Sequence, residues 1–254
     1  MLTYALVQFA PVFENKKSSS DHLLQLLQKV DQSVDMIIFP ELTLTGFTMR
    51  SQKFAEDMQG ESIQFFSSVA RQHKAHIFAG VIEKENTNYY NTLIHLDPSG
   101  QLVARYRKIH PFSYSGENRF YTAGLQTVIT RINSFRIGLS ICYDLRFPEL
   151  FRFYAKQRVH LIVDIANWPQ ARIEHWRILL KARSIEDQCY VMGVNRVGQD
   201  KKNEYNGYSC VFAPFGEELC CVADREDVIT GTLSLERVRQ VQGDYPFLND
   251  IRLI

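Results

Sequence analysis

The chain has 254 residues, enough for one large domain or two small ones, and its 45% hydrophobic content is ample for a sizeable core. A formal net charge of +1, with acidic and basic residues scattered, excludes the electrostatic footprint of a nucleic-acid or anionic-membrane binder. The five cysteines are odd in number and lack metal-ligand spacing, and adjacent Cys220 and Cys221 would point to opposite faces of a strand. The first residues have neither a basic start nor a long apolar core, so no signal peptide is read there. No apolar run is long enough to span a bilayer. The expectation is a soluble, cytoplasmic protein of a reducing compartment.

In chain order, residues 2–9 read as a strand closed by Pro11. After Lys16-Lys17-Ser18-Ser19-Ser20, either Ser20 or Asp21 is expected to cap a helix whose buried face is Leu23, Leu24, Leu26, Leu27 and Val30. A short apolar strand over 36–39 stops at Pro40 and is followed at once by Glu41. A second amphipathic helix covers 61–73, strands cover 76–82 and 90–96, and Asp97-Pro98-Ser99-Gly100 is a turn. The returning arm over 102–106 delivers Lys108. A loop holding Glu117 and Gly124 precedes two more strands. A helix over 148–157, a strand over 161–165, a helix over about 173–187 and a strand over 190–195 ending at Arg196 follow. Strands over 208–213 and 228–233, around the Pro214-Phe215-Gly216-Glu217 turn, and a short helix from Leu235 complete the chain. Helices and strands interleave, hairpins are present, and neither repeats nor linkers appear. One α/β domain over 1–254 with mixed sheets is expected.

The chain is organised around residues 137–150. An apolar strand there gives way at Cys142 to a segment where Pro148 opens a helix. A cysteine on that connection projects beyond the strand's carboxyl end, where open α/β sheets bind ligands. Taken alone, Cys142 reads as a candidate nucleophile or as a small core residue. Glu41 and Lys108, taken alone, read as solvated charges. Yet Glu41, Lys108, Cys142 and Asn167-Trp168 each stand just past the carboxyl end of a predicted strand. Neighbouring strands would bring a base, a cation and a thiol into one pocket.

Three segments carry a resemblance: Phe39-Pro40-Glu41-Leu42 with Thr45-Gly46-Phe47, Tyr106-Arg107-Lys108-Ile109-His110, and Cys142-Tyr143-Asp144-Leu145-Arg146-Phe147-Pro148-Glu149. They resemble, in order, the three signature motifs of the nitrilase superfamily, carbon–nitrogen hydrolases with a Glu-Lys-Cys triad. Ala166-Asn167-Trp168-Pro169, His175-Trp176, the stretch over 182–188 and Gly193-Val194-Asn195-Arg196-Val197-Gly198 look most like the bacterial ω-amidases, which hydrolyse the side-chain amide of 2-oxo acids such as 2-oxoglutaramate. Pro111 departs from the leucine of that branch and is expected to reshape the pocket rim. The resemblance implies a four-layer αββα sandwich with two mixed sheets, no metal or organic cofactor, and a homodimer paired through helices near the nucleophile and the C-terminal segment.

The resemblance also implies the chemistry. Glu41 takes the proton of Cys142 and the thiolate attacks the amide carbon. Lys108 and the backbone N–H of Tyr143 receive the oxyanion, and a thioester forms. Glu117 matches a second glutamate that orients the amide and the lysine. Asn167 and Trp168 match a pocket-lining segment, and the aromatic rings of Phe47, Phe112, Tyr114 and Tyr143 are candidates to enclose a small substrate. Arg172 and Arg196 are the candidates to bind its carboxylate, whereas Arg146 and Glu149 are expected to pair internally. Other small-amide, N-carbamoyl or nitrile hydrolases share the triad. A catalytically silent interaction protein of this fold would be expected to have lost a member of it.

Overall fold

The computed structural model describes residues 1–30 and 33–253. Its strands, in chain order, are β1 (Leu2–Gln8), β2 (Met36–Ile38), β3 (His76–Glu85), β4 (Asn88–Leu96), β5 (Leu102–Arg107), β6 (Ile129–Ile132) and β7 (Phe135–Ile141). There follow β8 (Leu161–Ala166), β9 (Tyr190–Asn195), β10 (Val197–Gln199), β11 (Glu204–Phe212), β12 (Glu218–Ala223) and β13 (Asp227–Leu233). The helices are α1 (Lys16–Leu27), α2 (Ser51–Phe54), α3 (Glu61–His73), α4 (Pro148–Lys156), α5 (Ile173–Glu186) and α6 (Leu235–Asp244). One sheet runs β13-β1-β2-β3-β4-β5, the other β10-β11-β9-β8-β7-β6, with β12 added to β11.

The sheets stack face to face. Leu6, Ile38 and Tyr106 of one meet Leu139, Val163 and Met192 of the other in a shared core. The outer face of the first sheet packs Val7, Ile37 and Ile77 against Leu23, Phe66 and Ala70 of α1 and α3. The outer face of the second packs Ile162 and Val191 against Tyr154, Trp176 and Leu180 of α4 and α5. The expected αββα sandwich is present. Because both faces of these strands are covered, they read as continuous apolar runs, and the sequence located them for that reason. At Gly193 a Cβ would fall 2.3 Å from Leu180 and 2.5 Å from Trp176, so the bare backbone lets α5 lie close on the sheet.

Differences from the sequence reading are local. Helix α1 begins at Lys16, four residues before the expected cap, because the Asn15 side chain accepts the Ser18 N–H at 3.0 Å. The short elements α2, β10 and β12 have no matching expectation. Cys210 and Cys221 face each other across β11 and β12 with a Cα–Cα distance of 4.1 Å. Among the described residues no helix is long and apolar enough to cross a membrane.

Strand direction assembles the site. β1, β2 and β3 are mutually parallel; β4 runs against β3 and β5 against β4, so β5 shares the direction of β2. In the other sheet β7, β8 and β9 are parallel. The carboxyl ends of β2 and β5 deliver Glu41 and Lys108, and those of β7, β8 and β9 deliver Cys142, Asn167 and Arg196.

Candidate active site

Glu41 lies in a turn that presses on β3 at Gly80. A Cβ there would sit 2.3 Å from the Leu42 nitrogen and 2.8 Å from Glu41 Cα, a contact only glycine permits. Leu42 adopts φ 45°, and Thr43 N–H closes on the Gly80 carbonyl at 2.8 Å. Lys108 prolongs β5: its N–H donates to the Asn91 carbonyl and its carbonyl accepts the Gly124 N–H, each at 2.8 Å. Cys142 ends β7 with φ 51°, a left-handed conformation uncommon outside glycine, and opens a 3₁₀ turn over Cys142–Arg146. Asp144 ties this turn down, accepting the Ile141 N–H at 3.0 Å, the Tyr106 hydroxyl at 2.7 Å and the His110 N–H at 2.9 Å.

Around the thiol a buried charge cluster closes. Glu41, Lys108 and Glu117 are each at most 1% exposed. The Lys108 ammonium donates to Glu41 Oε1 at 2.8 Å and to Glu117 Oε2 at 3.0 Å. Asn91 Nδ2 donates to the same two carboxylates at 2.7 and 3.0 Å. Asn167 crosses from the second sheet, its backbone N–H reaching Glu41 Oε2 at 2.8 Å and its side-chain amide the Glu41 carbonyl at 2.6 Å. Glu117 receives the Phe112 N–H as well.

Burial opposes the charge of Lys108, but the facing Glu117 and Glu41 outweigh it and hold the ammonium well above the ordinary lysine range. Burial raises the Glu117 carboxyl, with Lys108 pulling it back. Burial also pushes the Cys142 thiol well up; the Glu41 charge adds to this and Lys108 opposes it. Burial and the Glu41 charge thus favour the thiol over the thiolate at Cys142.

A cavity of about 230 Å³ opens over Cys142. Of the residues singled out in the sequence, Glu41, Lys108, Cys142, Tyr143, Asn167, Trp168 and Arg172 line it, and Glu117 stands behind Lys108. Phe47, Phe112 and Tyr114 complete an aromatic wall. Trp168 serves both wall and core: its ring lies 5.4 Å from that of Trp176, and its Nε1 donates to the Arg172 carbonyl at 2.7 Å.

Arg196 is a correction. Its fully buried guanidinium donates to the carbonyls of Val197 at 3.0 Å and Gln199 at 3.2 Å and stacks over Tyr205, so it braces the β10–β11 hairpin and does not line the cavity. That hairpin brings Lys202, Asn203 and Tyr205 to the rim, none of them foreseen. Arg146 is a second correction. It makes no ion pair with the exposed Glu149; it crosses the Trp168 ring at 4.7 Å and, like Arg172, lines the cavity. Asn91 went unread because a lone polar residue inside a strand is its sole signal. Among the described residues no cluster of three or more His, Cys, Asp or Glu is disposed to hold a metal ion.

The family model for carbon–nitrogen hydrolases matches residues 3–242. The chain belongs to the carbon–nitrogen hydrolase family. This carbon–nitrogen hydrolase is 38% identical over 230 residues to the 2-oxoglutaramate amidase of Paenarthrobacter nicotinovorans, covering 86% of this chain and 78% of that one. It is 32% identical over 228 residues to the 2-oxoglutaramate amidase of Bacillus subtilis (strain 168), covering 89% and 88%. Its fold matches that of a CN-hydrolase superfamily protein from Xanthomonas campestris, solved with an arsenic adduct in its active site, at TM-score 0.94 and 30% identity over 100% of this chain and 98% of that one.

Proposed function

We propose that this hydrolase is an ω-amidase, converting the terminal amide of small 2-oxo acids such as 2-oxoglutaramate and 2-oxosuccinamate to the dicarboxylate and ammonia. One observation carries the substrate assignment. Arg146 and Arg172 face the same small cavity as the thiol, Arg146 over Trp168 and beside His175 and Arg172 over Phe112, and neither pairs with a carboxylate among the described residues. Burial and then the charge of Arg172 both disfavour the Arg146 cation, a cost that an anionic substrate relieves. A cavity of about 230 Å³ is smaller than a drug-sized site and suits a molecule of about ten heavy atoms.

Glu41 takes the Cys142 proton as the sulfur attacks the amide carbon. Lys108 and the Tyr143 backbone N–H receive the negative oxygen. Glu41 returns the proton to the leaving nitrogen, ammonia departs, and a thioester remains. A water activated by Glu41 then releases the acid and restores the thiol. Glu117 and Asn91 hold Lys108 and Glu41 in register, and Asn167 and Trp168 shape the wall. The chemistry needs no metal or organic cofactor.

The test is ammonia release from 2-oxoglutaramate, beside glutamine, an aliphatic nitrile and an N-carbamoyl amino acid, with Cys142→Ala as control. Release from 2-oxoglutaramate that Cys142→Ala abolishes, and a KM raised at least tenfold in Arg146→Gln and Arg172→Gln, is the expected outcome. Release from a different substrate alone overturns the 2-oxo acid assignment. No release from a folded protein favours a silent interaction protein.

We also propose a homodimer. Supporting it is an apolar patch in which Ile185 approaches the 214–217 turn and the rings of Phe215, Tyr245 and Phe247 follow one another at 4.8 and 5.8 Å. Ile185 and Phe247 are 48% and 59% exposed there, an arrangement typical of an interface.

A further inference from the structure

Beneath the nucleophile lies a carboxyl that the mechanism does not use. Asp164, on β8, is fully buried. Its Oδ1 accepts the Cys142 backbone N–H at 2.8 Å, and its Oδ2 meets the Ser140 hydroxyl at 2.7 Å. Ser140 Oγ also lies 3.4 Å from the Val163 carbonyl. The charges facing Asp164 are carboxylates: Asp144 in the nucleophile turn and Glu41 at the cavity floor. Lys108 is engaged by Glu41 and Glu117. From α5, Arg183 spends its guanidinium on the Leu145 carbonyl and Glu186, and from α4 the Tyr154 hydroxyl donates to the Leu139 carbonyl.

An anion buried without a cation, beside two further carboxylates, takes up a proton. The hydrogen bonds accommodate one completely. The Asp164 O–H donates to Ser140 Oγ, the Ser140 hydroxyl turns to the Val163 carbonyl, and the remaining carbonyl oxygen of Asp164 keeps the Cys142 N–H. We propose that Asp164 is held as the neutral acid at neutral pH, a positioning residue that clamps the left-handed Cys142 amide without setting a negative charge under the thiol. Burial raises the Asp164 carboxyl well above the ordinary range, in agreement. An ionised Asp164 would push the thiol further from thiolate. The positioning role rests on the proposed use of Cys142 as nucleophile.

Two variants test it, read by the pH dependence of iodoacetamide alkylation, with peptide mapping to Cys142, and by turnover. Asp164→Val removes the acceptor and is expected to lower kcat about tenfold to hundredfold, and Asp164→Asn, which keeps an acceptor for Cys142 and a donor for Ser140, to rescue most of that loss. In both, the thiol midpoint stays within about 0.3 pH unit of wild type, because no charge has been removed. A midpoint lowered by about one unit or more shows an ionised Asp164 and overturns the proposal. Full turnover in Asp164→Val, or no rescue by Asp164→Asn, overturns the positioning role. Asp164→Asn is isosteric, so its midpoint decides the protonation state should the valine protein not fold. Because labelling is read without turnover, an active Cys142→Ala protein would sink the proposed function and leave the charge of Asp164 decided independently.

Discussion

Asn91 holds both carboxylates of the cluster with a single amide, and its own Oδ1 is buried without a partner. Replacing it with leucine is expected to reduce kcat about a hundredfold, as for loss of one preorganised donor, with KM changed less than about threefold in steady-state ammonia release. The buried thiol gives a second expectation. Since its pKa is raised, alkylation of Cys142 should keep accelerating as pH rises past the ordinary thiol range, and Lys108→Met, which removes the opposing cation, should slow it further at every pH. At this scale the sequence was informative where order and type suffice: Glu41, Lys108 and Cys142 each follow a strand and stand inside a recognisable motif. It was uninformative about arginine direction. Arg146 and Arg196 are alike in type and both lie near strand ends, yet packing sends one to the cavity and the other into the base of a hairpin.

The elements place these groups through close backbone contacts rather than long side chains. Gly80 shows the dependence: a methyl group there would overlap the Glu41–Leu42 backbone. Gly80→Ala is expected to destabilise the fold by more than the usual overpacking cost of about 1–3 kcal/mol, with a lowered melting temperature, and to abolish most activity, since Glu41 rides on the displaced turn. Calorimetry and turnover on one preparation check both. Long elements were legible from periodicity and from continuous apolar runs. β10, β12 and α2 were not, because three to six residues with polar or half-buried faces carry no period. The start of α1 was misjudged because Asn15 outranks two downstream residues that look equally able to cap.

Across the whole molecule, a buried charge sets a pH dependence of stability. Asp187 is 1% exposed, neither carboxylate oxygen has a hydrogen-bond partner, and Arg152 comes only to 3.6 Å. Burial pushes this carboxyl from an ordinary 3.8 up to about 7. Between those values the folded chain binds more protons than the unfolded one, so this group's contribution to stability falls as pH rises through that window. Asp187→Asn should therefore raise the melting temperature at mildly alkaline pH, and the gain should vanish below about pH 4, where both states are protonated. The proposed dimer is tested at the same scale: sedimentation velocity should show Ile185→Asp with Phe247→Asp as monomers where the parent protein is paired.

The last strand of the first sheet, β13, pairs along β1 from Leu2–Leu233 to Gln8–Asp227. During synthesis the Cys142 turn leaves the ribosome well before that strand does. Until β13 emerges, β1 has an open hydrogen-bonding edge flanked by Leu2, Tyr4 and Leu6. A message interrupted shortly before codon 227 would thus yield a chain with every proposed catalytic residue and an unsealed sheet. Its expected fate is clumping or degradation rather than service as a shorter enzyme.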